Sequence, residues 1–315
     1  MDVHVIESPE FATAALKGLK SEPKWLDSKW LYDARGSELF EQITQLPEYY
    51  PTRTETGILK REVGTLSRYV KPGSALIELG SGASIKTRIL LDALPSLSTY
   101  VPVDISAEFL NDTAAVLKRR YPELDIQPIV ADFTGAFATP AALDGMAKTA
   151  FFPGSTIGNL PHDAAAQILG RIREWTGIEA LILGVDLVKD RDVLLRAYDD
   201  AAGVTAAFNM NLLRRMNREI AAGFNLMNFQ HEARWNDAHN RIEMHLVSDR
   251  DQTVPVAGQD IRFGRGETIH TENSRKYTEQ TLGEIAARGG WQVTELLTDP
   301  DRLFAVAVLT PSRSG

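Results

Sequence analysis

The sequence predicts an α/β fold: a doubly wound, largely parallel sheet with an inserted α+β module. Three observations carry this expectation. Between residues 75 and 186, strand-length apolar runs alternate with helical patterns, the alternation that buries a parallel sheet between helix layers. The first three of those runs lead into Gly80, Asp104 and Asp132, at the strand ends where such sheets place ligands. From residue 190 the pattern changes to two helices and shorter strand-like pieces, before a last helix and two strands close the chain.

The elements follow in order. Ser8-Pro9-Glu10 starts a helix with Phe11, Ala14, Ala15 and Leu16 at helical spacing, fading near Glu22-Pro23. The aromatic, glycine-punctuated segment 29–37 precedes a helical pattern of Leu39, Phe40, Ile43 and Leu46. Pro47 and Pro51 break that pattern, and a new helix is expected from Thr54 through Ile58, Leu59, Val63 and Leu66 to the turn Lys71-Pro72-Gly73. Each of Trp30, Tyr32, Tyr49 and Tyr50 alone reads as packing, but as a set in proline- and glycine-bounded loops they read as a lid or pocket wall.

The run Leu76-Ile77-Glu78-Leu79-Gly80-Ser81-Gly82-Ala83-Ser84 is a strand, a glycine turn and the start of a helix over 86–94. Glycine admits backbone conformations closed to other residues, and the helix that follows offers unpaired N–H groups, so the turn can shelve a ligand. A second strand ends at Asp104, roughly 20 positions on, where a carboxylate can grip ribose hydroxyls. A third, over 126–130, leads to Asp132-Phe133, an acceptor beside an aromatic face suited to adenine. A fourth ends in Gly154-Ser155-Thr156-Ile157-Gly158-Asn159, and Asn159 can donate and accept hydrogen bonds without carrying charge. The fifth strand ends at Asp186.

Helical patterns fill 190–223, strand-like pieces cover 228–235, 241–247 and 266–274, and a helix from Tyr277 leads to two strands forming a hairpin at the sheet's edge. The expected division is a ligand-binding domain over 57–189 and 277–315, and a substrate domain over 8–56 and 190–276.

Composition narrows the partners. The 315 residues carry 34 basic and 42 acidic side chains, a net charge of −8 that argues against nucleic acid or an anionic membrane surface. Cysteine is absent, which excludes disulfides and thiolate chemistry. The amino terminus lacks the basic start and apolar core of a signal peptide, and no apolar run reaches spanning length, so a cytoplasmic, soluble protein is expected. None of the six histidines shows ligand spacing such as i, i+4 on a helix; His239 and His245 read as surface or packing residues, and no metal is expected.

A nucleoside site of glycine turn and acidic strand ends, in a sheet closed by a hairpin, is the plan of the S-adenosylmethionine-dependent class I methyltransferases. Lys29-Trp30-Leu31-Tyr32-Asp33, Leu46-Pro47-Glu48-Tyr49-Tyr50-Pro51-Thr52-Arg53-Thr54-Glu55, Glu78-Leu79-Gly80-Ser81-Gly82, Gly154-Ser155-Thr156-Ile157-Gly158-Asn159-Leu160 and the stretch 199–209 extend the likeness. Together they resemble the histidine Nα-methyltransferases of ergothioneine biosynthesis over nearly the whole chain. The resemblance implies a Rossmann-like methyltransferase sheet with an inserted α+β substrate-recognition domain, and trimethylation of the α-amino group of L-histidine to hercynine. It implies cofactor contacts from Tyr32, Gly80, Lys86, Asp104, Asp132 and Phe133. Substrate contacts would come from Tyr49, Asn159 and Tyr198 for the backbone groups, and from Met244, Glu272 and Ser274 for the imidazole. Tyr32 and Asn159 are the residues closest to the chemistry it implies. A carboxylate and a hydroxyl suit the two ring nitrogens of histidine, whereas an indole has one donor. A methyltransferase for another amine such as tryptophan, a nucleic-acid methyltransferase and a non-catalytic cofactor-binding regulator are the alternatives. A monomer is expected.

Overall fold

The computed structural model describes residues 8–82, 85–135 and 139–312; residues 1–7, with the start read above, and Ala83 and Ser84 of the glycine turn lie outside the described residues. The chain forms two compact units, residues 1–50 with 189–274 and residues 51–188 with 275–315.

Helix α1 (Pro9–Leu19), strand β1 (Lys24–Trp25) and helix α2 (Ala34–Thr44) open the first unit. Phe11 of α1 stacks on Trp30 at 4.5 Å between centroids. Asp33 caps α2 by accepting from Gly36 N–H at 2.8 Å. Helix α3 (Tyr50–Ser67) starts earlier than the expected Thr54. Pro51 sits in its first turn, where a missing N–H costs nothing, so this proline begins the helix instead of breaking one.

The second unit continues with β2 (Ala75–Leu79), α4 (Ile85–Ala93), β3 (Thr99–Asp104), α5 (Ala107–Arg120), β4 (Asp125–Ile126), β5 (Ile129–Val130), β6 (Lys148–Phe152), α6 (His162–Arg173) and β7 (Ile178–Asp186). The strand expected over 126–130 is therefore two short pieces. Pro128 lies between them and has no N–H to give the ladder.

The chain then returns to the first unit with α7 (Arg191–Tyr198), α8 (Val204–Glu219), β8 (Phe229–Asn236), β9 (Arg241–Ser248), β10 (Gln252–Val256), β11 (Gln259–Phe263) and β12 (Thr268–Arg275). It ends in the second unit with α9 (Glu279–Arg288), β13 (Trp291–Thr298) and β14 (Phe304–Pro311).

In the second unit the strand order is β13-β14-β7-β6-β2-β3-β4, with β5 also on β3. Strands β2 to β7 pair in parallel, while β14 runs antiparallel to both β7 and β13, giving the expected closing hairpin. All five residues of β2 are buried, because helices cover both faces. Ile77 and Leu79 pack in one apolar cluster with Leu169 and Ile172 of α6 and Leu282 and Ile285 of α9. Leu76 packs in the other with Ile58 and Leu59 of α3, Leu90 of α4 and Leu117 of α5. Each such burial contributes about 1.5–3 kcal/mol. The order reverses at β2, flanked by β3 and β6, so a crevice opens at its carboxyl end.

The first unit has a four-stranded sheet, β1-β12-β9-β8, and a separate hairpin of β10 and β11. That hairpin went unread in the sequence, because its two-residue turn uses Ala257 at φ +47° beside Gly258 at φ +77°. Alanine rarely signals a turn needing two positive φ angles. Among the described residues no helix is long and apolar enough to cross a membrane.

Candidate active site

The second unit gathers Gly80, Lys86, Asp104, Asp132, Phe133 and Asn159. Gly80 ends β2 at φ +69°, and a Cβ built on it would stand 3.5 Å from the Phe133 ring. A side chain there would be strained by the positive φ, while its Cβ would meet that ring only in ordinary contact. Asp104 ends β3 with its Oδ2 accepting from Gly82 N–H at 3.1 Å and its Oδ1 accepting from Ser106 N–H at 3.0 Å. These two bonds fix the carboxylate and leave lone pairs for further donors. Asp132 Oδ1 accepts from Thr134 N–H at 2.9 Å. Phe133 meets Phe152 edge to face at 5.4 Å. Ile105 and Val130 are exposed by 40% and 52%, and both stand next to these acidic strand ends. Such apolar surface beside carboxylates fits the face of a nucleoside base, and the sequence reading missed it.

Lys86 is organised by Glu55, a residue within a motif stretch that was given no role. Glu55 is fully buried; its carboxylate meets Lys86 Nζ at 2.5 Å and accepts from Gly154 N–H at 3.0 Å with each oxygen. Gly184 in β7 makes the room, since a Cβ there would lie 2.1 Å from Glu55 Oε1. Beside this pair, Glu78 of β2 accepts from Thr87 Oγ1 and Tyr100 Oη, both at 2.5 Å. Burial pushes its carboxyl up to about 8, against the pull of those two hydrogen bonds, so Glu78 holds a proton at neutral pH. One buried acid thus pairs with Lys86 while its neighbour stays neutral. Asn159 ends a short 3-10 turn, Thr156–Asn159, entered through Ser155 at φ +56°. Ser155 Oγ accepts from Asp186 N–H at 2.9 Å, which ties the turn to β7. A cavity of about 180 Å³ behind Phe133, lined by Ile168, Arg171 and Trp175, holds none of Lys86, Asp104 or Asp132. It is below the ~300–1,000 Å³ of ordinary ligand sites, so the strand-end groups mark the site better.

The first unit brings together Tyr32, Tyr49, Tyr198, Glu272 and Ser274. Tyr198 Oη and Ser274 Oγ are 2.6 Å apart, and Tyr32 Oη lies 3.5 Å from Glu272 Oε1. Tyr32 meets Phe40 at 5.7 Å and Phe208 at 5.4 Å, Phe40 meets Tyr49 at 6.2 Å, and Tyr49 meets Tyr198 at 6.1 Å. These edge-to-face contacts make a linked aromatic wall, of which Phe208 was not foreseen. Burial, then the neighbouring Glu272, Tyr49 and Tyr198, raises the Tyr32 phenol well above its ordinary value, so it keeps its proton. Met244 is buried on β9 beside Ile242 and Leu246.

Burial along β12 falls on Ile269 and Thr271 and then on Glu272 and Ser274. Glu272 and Ser274 reach Tyr32 and Tyr198 respectively. Asn209 of α8 anchors the strand there. Its Oδ1 accepts from Thr271 Oγ1 at 2.7 Å, and its Nδ2 donates to His231 Nδ1 at 2.9 Å and to the His245 carbonyl at 3.2 Å. His231 Nε2 in turn donates to the Tyr198 carbonyl at 2.8 Å. A fully buried asparagine among Phe208, Leu212 and Leu213 was the available signal for this brace.

A parallel sheet reversing at a glycine-ended strand, acids on the neighbouring strand ends and an antiparallel last strand define a class I S-adenosylmethionine-dependent methyltransferase. The chain matches the model of the histidine-specific, S-adenosylmethionine-dependent methyltransferases over residues 11–311, and it belongs to that family. It is 45% identical over 282 residues to the histidine N-alpha-methyltransferase of Mycobacterium tuberculosis, covering 86% of each chain. The enzyme of that name from Mycolicibacterium smegmatis is 42% identical over 297 residues, covering 92% of each. A solved protein from Pyrococcus horikoshii, 12% identical, shares the fold with a TM-score of 0.51 over 89% of this chain and 100% of its own.

Proposed function

We propose that the protein transfers three methyl groups from S-adenosylmethionine to the α-amino group of L-histidine, giving hercynine on the route to ergothioneine. The observation that carries this reading is the first unit's combination of Glu272 and Ser274 with an aromatic wall. Glu272 and Ser274 suit the two nitrogens of an imidazole, with Met244 lining the ring. Tyr49 and Tyr198 take the amino acid's backbone groups, and Asn159 adds an uncharged donor and acceptor. In the second unit, Asp104 accepts from ribose hydroxyls and Phe133 with Asp132 takes the base. Gly80 leaves room for the ligand, and Lys86, steadied by Glu55, offers a cation to a carboxylate.

S-adenosylmethionine supplies a methyl group already activated on a sulfonium, so the residues need only hold and orient. Tyr32 keeps its proton, so it serves as wall and donor, and the ammonium proton of the substrate leaves to water. The faces of Tyr32, Phe40 and Phe208 suit a nitrogen that becomes a quaternary cation. No metal is needed for this transfer. We read the protein further as a cytoplasmic monomer without nucleic-acid or membrane partners, in keeping with its charge of −8.

The test is incubation of purified protein with S-adenosylmethionine and histidine, tryptophan or a mixture of amines, followed by product mass. Histidine gaining three methyl groups, with Glu272→Ala losing about 10²-fold in kcat/KM for histidine, is the expected result. Methylation of tryptophan with histidine untouched would overturn the substrate, and binding of cofactor without any product would leave a regulator.

A further inference from the structure

On the first unit's sheet, three side chains converge that the proposed methyl transfer does not use. Glu243 and His245 stand two residues apart on β9, which puts them on one face, and His270 joins them from neighbouring β12. One ligand atom from each lies within 4.8 Å of the others. The imidazole rings stack at 4.8 Å with 19° between their planes.

Each of the three is already oriented by its remaining polar atom. His270 Nε2 lies 3.1 Å from the Glu272 carbonyl, which can only accept, so Nε2 carries the proton and Nδ1 keeps its lone pair. Glu243 Oε1 accepts from Asn236 Nδ2 at 2.8 Å and Arg241 Nε at 2.7 Å, leaving Oε2. His245 Nδ1 is 3.2 Å from Thr268 Oγ1, and its Nε2 is 3.2 Å from Glu243 Oε2. In one tautomer a proton bridges that last gap; in the other, nitrogen and carboxylate both offer lone pairs to a cation. Outer hydrogen bonds of this kind orient metal ligands.

We infer that Glu243, His245 and His270 form a site for a late first-row divalent cation such as Zn²⁺, Ni²⁺ or Co²⁺, bound by two nitrogens and one oxygen. The remaining coordination positions are open to water. Arg241 on the same carboxylate, and Arg234 paired across from Glu243, reduce the field at the site. The cation would brace β9 to β12.

The test is calorimetric titration of chelator-treated, tag-free protein with ZnCl₂, and with CoCl₂ while reading the cobalt absorption bands. One equivalent is expected, with nitrogen-containing ligation in the Co²⁺ spectrum and a rise in melting temperature. His270→Ala and Glu243→Gln should each weaken binding at least about tenfold, while His239→Ala on the exposed turn should not. Circular dichroism and melting confirm that each variant folds, and the paired variants guard against one that does not. No saturable binding below about 0.1 mM, or binding that survives in folded His270→Ala and Glu243→Gln, would overturn the site.

Discussion

Glu55 and Tyr198 carry the most weight among single side chains. Lys86 is only 18% exposed, and it pairs with the fully buried Glu55 carboxylate. Removing one partner of such a pair leaves an uncompensated charge and costs about 3–5 kcal/mol. Glu55→Gln keeps the shape and an acceptor for Gly154 N–H, and it should lower unfolding stability in urea at neutral pH by about 3 kcal/mol. A loss under about 1 kcal/mol would show that the pair does not hold the turn. Tyr198→Phe removes only the oxygen 2.6 Å from Ser274 Oγ. It should raise KM for histidine about tenfold, with little change in the affinity for S-adenosylmethionine, as steady-state kinetics and calorimetry can show.

The elements matter through where they let side chains approach. Strand β7 carries Gly184 at the point where Glu55 arrives, and a methyl there would sit 2.1 Å from a carboxylate oxygen. Gly184→Ala should cost about 1–3 kcal/mol or more by overpacking. Gly170→Ala on α6, where a Cβ meets nothing within 4 Å, should be neutral or stabilise by up to about 1 kcal/mol. Comparing the two urea midpoints separates close approach from glycine content.

For the molecule as a whole, Glu78 shapes how stability varies with pH. Its folded carboxyl titrates near 8, while an unfolded one titrates near 4.3. Between those values the folded chain holds a proton that the unfolded chain has released, so this group's contribution falls as pH rises and levels off above about 8. Glu78→Gln, which cannot ionise, should gain on the native protein steadily from pH 5 to pH 8 in thermal melts, on the order of the ~1.4 kcal/mol that one pH unit represents. Parallel curves would mean that Glu78 is ionised in the fold.

Sequence alone determines the parallel sheet, the closing hairpin and the glycine- and acid-ended strands. These depend on local periodicity and on residues such as Gly80 and Asp104, whose backbone and strand-end roles are set within a few neighbours. The break at Pro128 and the start at Pro51 were readable signals given the wrong weight. The family likeness named Tyr198, Glu272 and Ser274, but only the tertiary structure decided that Tyr198 meets Ser274 across 76 positions, or that Glu55 reaches Lys86 past Gly184. It alone decided that His270 of β12 meets His245 of β9. Such choices depend on which distant segments pack together, and burial and pairing energies between segments carry no signature in the spacing of either one.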